Sequence, residues 1–137
     1  MAKNYQIVNP DSIPQTPFPE SGVTHRKLSG ELRAQEMRVN QVTVDPGEVV
    51  GYHSHKRQEE IYVCHRGPGE VYVDGEHREV PEGGIVRVGC DVPRQVLNTG
   101  DEPTVWIMFG APVIGTIEDF GEYEVAAGGY GEAPESN

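Results

Sequence analysis

Gly47-Glu-Val-Val-Gly-Tyr-His53-Ser-His55-Lys-Arg-Gln-Glu59-Glu60-Ile-Tyr-Val-Cys-His-Arg-Gly67 reads as two short strands joined by a polar turn. Successive side chains of a strand point to opposite faces, so His53 and His55, two residues apart, present both imidazoles on one side of a sheet. Lys56-Arg57-Gln58-Glu59 is a tight polar connection, and Glu60-Ile-Tyr-Val-Cys64 resumes strand alternation. That alternation is expected to bring the Glu60 carboxylate in from a neighbouring strand. Two imidazoles and a carboxylate meeting at one point suit Zn, Fe, Ni, Mn or Cu. The parity of Glu60 puts Tyr62 and Cys64 on its own face and Ile61, Val63 and His65 on the other; Glu59 is the alternative carboxylate.

Outward from this stretch the chain keeps the same rhythm. Seventeen Gly and eleven Pro punctuate short segments rich in Val, Ile and Tyr, the pattern of an all-β sandwich or barrel. Asp45-Pro-Gly-Glu48 and Arg66-Gly-Pro-Gly69 are turn chemistry, and Asp74-Gly75 is the two-residue turn of a hairpin between Val71-Tyr-Val73 and Glu76 to Val80. Further strands are expected at Ile85-Val-Arg-Val88, at Arg94 to Asn98 and at Thr104-Val-Trp-Ile-Met-Phe109. Glu31 to Arg38 holds good helix formers, yet Met37, Val39, Val42 and Val44 alternate with a phase change near Asn40, so the segment is read as strand with a bulge. Residues 1 to about 24, with Pro10, Pro14, Pro17 and Pro19, are expected to form an extended arm rather than a packed element. Thr116-Ile-Glu-Asp-Phe120 is expected to pack back on the barrel, and the Gly-rich acidic run after about 126 to fray.

The central stretch resembles the first motif of the cupin family: Gly, five residues, His-x-His, three or four residues, Glu, six residues, Gly. Gly47, His53, His55, Glu60 and Gly67 fit each element, and Glu60 rather than Glu59 leaves six residues before Gly67. A second motif runs from Gly75 through Pro81-Glu-Gly83 to Asn98. The resemblance implies a double-stranded β-helix, or jelly-roll barrel, over residues 35–112. Residues 1–34 would then be an N-terminal arm and 113–137 a C-terminal extension with a flexible tail. It also implies a divalent transition metal, Zn, Fe, Ni or Mn, held by His53, His55 and Glu60.

Where the family pattern carries a fourth ligand, a histidine after Pro, this chain has Pro93-Arg94. Two readings follow. A guanidinium can replace the ion and pair with Glu60, giving a metal-free binding or regulatory protein. Alternatively three ligands hold the metal with open positions, and Arg94 grips the carboxylate or phosphate of a small anionic substrate. In the second case the chain is an oxygenase or an isomerase. Tyr62 and Trp106 are read as core or pocket wall and, with Arg94, are the candidate ligand-binding residues. Cys64 and Cys90 carry no assigned role, Asn98 is read as architectural, and His25, His65 and His77 as surface or structural.

The formal net charge of −11 disfavours nucleic acid and anionic membrane as partners and leaves small molecules. A surface with 22 acidic and 11 basic side chains would also suit a salt-rich cell interior, where screening removes self-repulsion. Two cysteines and an N-terminus without a charged, apolar leader fit a reducing, cytoplasmic setting without disulfides. Exposed edges of a short-stranded sandwich favour a homodimer.

Overall fold

A computed structural model of the chain describes residues 4–19, 21–115 and 121–131. Among these residues eleven strands build two antiparallel sheets packed face to face. One sheet carries β1 (Thr16–Pro17), β2 (Thr24–Lys27), β3 (Arg38–Val44), β10 (Thr104–Ala111), β5 (Glu59–Arg66) and β8 (Ile85–Val88), in that order. The other carries β11 (Glu124–Val125), β4 (His53–Ser54), β9 (Arg94–Leu97), β6 (Gly69–Val73) and β7 (Glu76–Val80). This is the all-β jelly roll that the turn spacing and the family resemblance imply. Its few helical residues include α1 (Ser29–Leu32) and a 3-10 turn at Pro10–Ser12. No helix among the described residues is long and apolar enough to cross a membrane.

The alternation of the strands explains the core. Along β5, Tyr62 and Cys64 are buried while Ile61 and Val63 are only half-covered, as the parity of Glu60 requires. Val42, Val44, Val71, Val80, Val88, Val96 and Trp106 meet them from six other strands and fill the space between the sheets. Each fully buried apolar side chain of this kind is worth roughly 1.5–3 kcal/mol against exposure. The hairpin between β6 and β7 turns on Asp74 (φ 50°) and Gly75 (φ 80°), both left-handed, which matches the right-handed twist of the flanking strands. Asn98 is architectural: its amide donates to the carbonyls of Val44 (2.9 Å) and Glu102 (2.7 Å), pinning the turn before β10 to the end of β3.

Three local expectations fail, each for a physical reason. The N-terminal segment is not an arm lying off the barrel: β2 pairs with β3, β1 pairs with β2, and Val23 and His25 are fully buried. Proline is compatible with this because it sits at the sheet edge, Pro17 in β1, where no ladder donor is needed. The stretch 31–38 is not a strand, since α1 occupies its start and β3 begins only at Arg38. There is also no bulge at Asn40, because β3 pairs with β10 in continuous register from Arg38 to Val44. The apparent phase change arises because Val39, on the outer face, is covered by Ile13 and Leu28 of the N-terminal segment. The real register shift lies between Val105 and Trp106, where β10 meets β5.

The third failure is the C-terminal run. Through residue 131 it is packed: β11 pairs with β4, the Ala126 amide donates to the Tyr52 carbonyl (2.9 Å), and the Tyr130 amide donates to Gln95 Oε1. The Tyr130 ring lies against Tyr72 and His77. The expectation for Thr116–Phe120 falls outside the described residues, as does residue 132 onward.

Candidate metal centre

His53 and His55 stand on and just after β4 with ring centroids 5.1 Å apart, and Glu60 reaches them from β5. The carboxylate does not come from a neighbouring strand: β4 and β5 belong to opposite sheets, so the cluster bridges the barrel interior. One possible ligand atom from each of the three residues lies within 4.8 Å of the others.

The imidazoles are oriented for ligation. His53 Nδ1 is 2.7 Å from the Gly51 carbonyl, and His55 Nδ1 is 2.7 Å from the Glu122 carbonyl. A carbonyl can only accept, so each Nδ1 carries a proton; in the neutral ring this leaves the lone pair on Nε2, the arrangement that metal-binding histidines use. His55 Nε2 lies 3.5 Å from Glu60 Oε1. Burial pushes the His53 imidazole below its ordinary pKa, opposed by the Gly51 hydrogen bond and the Glu60 charge, so it is neutral at pH 7. A neutral imidazole is the ligating form.

Glu60 is held from several sides. Its Oε1 accepts a 2.6 Å hydrogen bond from the Tyr62 hydroxyl, and its Oε2 lies 3.3 Å from the donating Gln58 Nε2. Arg94 is fully buried. Its Nη2 stands 3.2 Å from Glu60 Oε1 as an ion pair without hydrogen-bond alignment, its Nε donates to the Tyr62 hydroxyl (3.3 Å), and its Nη1 donates to the Val92 carbonyl (2.8 Å). Burial, reinforced by the Glu60 charge, holds the Tyr62 phenol well above its ordinary pKa, so it stays protonated and donates.

A cavity opens over this cluster. His53, His55, Glu60 and Tyr62 line its polar end, and Phe18, Val50, Val96, Met108 and Phe109 supply apolar wall. Neither Arg94 nor Trp106 lines it. Arg94 lies behind Glu60 and Tyr62, and Trp106 is core, its indole over Gly69. Cys64 is core as well, its thiol pKa raised by burial, whereas Cys90 is exposed; both are free. His25 is structural, fully buried and stacked on Phe18 at 4.1 Å.

Four contributors escaped the sequence reading. Arg38 and Gln58 line the cavity and bond to each other, Arg38 Nη1 donating to Gln58 Oε1 (2.7 Å). Gly110 makes room for this, since a Cβ there would fall 2.9 Å from Gln58 Cδ. Parity alone could have found Gln58, two residues before Glu60. Glu122 and Tyr123, the other two, come from the C-terminal run, where Tyr123 packs edge-on against His53 (5.9 Å between centroids). Their spacing from the motif carries no signal.

A family model described as Cupin domain matches residues 40–110, more than half of the chain. The chain is a cupin. No curated protein sequence matches it. Among solved structures it is similar to a cupin protein from Bacteroides fragilis, at 26% identity over 87% of this chain and 92% of the other, with TM-score 0.64. A sugar phosphate isomerase of the cupin superfamily from Silicibacter pomeroyi is 21% identical, with 78% and 76% covered and TM-score 0.69. A predicted oxalate decarboxylase from Thermotoga maritima is 17% identical, with 79% and 100% covered and TM-score 0.70. This cupin spans 62% of the length of a further match, from Acidithiobacillus ferrooxidans. Likeness at these identities shows the fold, and one fold carrying an isomerase and a decarboxylase does not choose a reaction.

Proposed function

We propose that this cupin binds a divalent transition metal, Zn, Fe, Ni or Mn, through His53, His55 and Glu60, and takes a small anionic molecule into the cavity beside it. The observation that carries the reading is the pair of backbone carbonyls on His53 Nδ1 and His55 Nδ1, which leave both Nε2 lone pairs free at the Glu60 carboxylate. Charge count supports the anion. The Glu60 carboxylate already faces the buried Arg94 guanidinium, and the Arg38 guanidinium lines the cavity, so a divalent ion adds positive charge that a carboxylate or phosphate ligand would offset.

When bound, the metal would supply Lewis-acid polarisation of a ligand oxygen or a place for dioxygen, which is why isomerase and oxygenase are the reaction classes proposed. The chain's own residues do the rest. Tyr62 and Gln58 donate to Glu60 and hold its carboxylate in place, while Arg38 lines the cavity wall and anchors Gln58. Arg94 acts from behind, through Glu60 and Tyr62. A homodimer in the cytoplasm is the proposed setting.

One observation favours a second reading, in which the 3.2 Å Arg94–Glu60 pair takes the metal's place and the cupin is a metal-free binding or regulatory protein. Elemental analysis of protein purified without chelators or a nickel column separates the two. About one transition metal per chain is expected, and a metal-free protein that takes up none on addition would leave the second reading standing.

A further inference from the structure

The two histidines are oriented by very different means. His53 uses the carbonyl of Gly51, two residues away, whereas His55 uses that of Glu122, 67 residues away in the C-terminal run. That run is fastened beside the cluster by short-range contacts. Val125 pairs with His53 and Glu124 with Ser54, the Arg57 guanidinium meets the Glu122 carboxylate at 2.5 Å, and Lys56 Nζ lies 3.3 Å from Glu124 Oε1. Tyr123 then lies over both imidazoles, its ring centroid 5.9 Å from His53 and 6.3 Å from His55. Gly121 sits on Arg38 and Gln58: a Cβ there would fall 2.7 Å from Arg38 Nη1. Lys56 and Arg57 thus sit in the loop between the last histidine and Glu60, and both reach the same outlying segment.

Resting on the metal reading above, we propose that residues 121–126 are a positioning element of the metal centre, and that Arg57 sets its affinity by docking Glu122 so that the Glu122 carbonyl fixes the His55 tautomer. Docked, the segment holds the proton on Nδ1 and presents Nε2 as a ligand. Undocked, the His55 ring is free to rotate and to exchange tautomers, so part of the binding free energy goes into ordering it. Metal binding and docking are therefore linked, and by reciprocity the metal should fasten the segment as strongly as the segment favours the metal. The fastening pairs are exposed, so the segment is held weakly enough for single substitutions to shift its docking.

The test uses the full-length protein titrated with divalent cobalt, followed by its visible absorption. Arg57→Ala and Glu122→Ala should each weaken cobalt binding about three- to tenfold, although neither side chain is a ligand. The exchanged pair Arg57→Glu with Glu122→Arg should recover most of the loss. Metal-free unfolding midpoints should stay level across the set. Hydrogen exchange of the peptide containing Ala126, whose amide bonds to Tyr52, should slow when cobalt is added. Wild-type binding with both single variants equally tight overturns the proposal and leaves the metal reading intact. A loss of affinity that the exchanged pair fails to recover, matched by a fall in metal-free stability, overturns it as general damage. A wild type that binds no cobalt overturns both, and is recognised from the wild-type titration alone.

Discussion

Replacing Arg94 tests how the buried charges of this barrel balance. Arg94 is 0% exposed and Glu60 14%, and they stand 3.2 Å apart. Breaking a buried pair by removing one partner costs on the order of 3–5 kcal/mol, because the other charge is left uncompensated. Glu60 keeps the Tyr62 hydroxyl at 2.6 Å and faces the cavity, so the lower end applies to the charge itself. Arg94→Met, which keeps much of the volume, should therefore lose about 3 kcal/mol in metal-free protein, a fall of roughly 10 °C in Tm. Coupling gives the sharper readout. In a double-mutant cycle with Glu60→Gln, the pair should cost at least ~1 kcal/mol less than the sum of its parts, since removing both charges leaves neither stranded. Urea unfolding in the presence of a chelator measures all four corners. An Arg94→Met protein within about 1 kcal/mol of wild type, or an additive cycle, would refute the reasoning.

Other expectations follow from single features. Burial, with Lys27 assisting, lowers the pKa of His25, so the native state disfavours its protonation. The stability this contributes is fully present above the unfolded-state value near 6.5 and is lost as pH falls from there towards the depressed native value; His25→Gln should flatten that part of a stability-versus-pH curve, and an unchanged slope would assign it elsewhere. Gly69→Ala would drive a methyl into the Trp106 indole and to 3.1 Å from Cys64 Sγ, costing about 1–3 kcal/mol by urea unfolding; a neutral substitution would mean that the indole shifts freely. Arg94→His should tighten divalent metal binding, by about tenfold or more in a direct titration, by adding a donor and removing a positive charge; unchanged affinity would show that position 94 does not reach the ion. Light scattering should give twice the 15.1 kDa chain mass, and a monomer at micromolar concentration would contradict the proposed dimer.

What was legible in the sequence was what strand parity and turn chemistry determine locally. The alternation of β5 placed Glu60, Tyr62 and Cys64 on one face, and Asp74-Gly75 specified its hairpin, because both depend on a few adjacent residues. The two histidines at i and i+2 carried the candidate cluster for the same reason. Parity along one strand does not say which sheet the strand joins, so Glu60 was expected beside β4 rather than across the barrel from it. Nor does it say what covers an outer face. Val39 looked out of phase only because Ile13 and Leu28, far earlier in the chain, bury it. The C-terminal run shows the limit most clearly: Gly and acidic composition suggests fraying, but two residues of β-pairing, two ion pairs and an edge-on tyrosine contact hold it in place through residue 131. Contacts between distant segments are set by the assembled surface, and composition carries no record of them.

The most direct test of the central claim is X-ray absorption at the metal edge of protein loaded with one equivalent of zinc, compared with His53→Ala and His55→Ala. The account predicts two imidazole nitrogens and a carboxylate oxygen at about 2.0–2.2 Å in the wild type, with one imidazole fewer in each variant. A spectrum without imidazole scattering, or one that neither substitution alters, would contradict it.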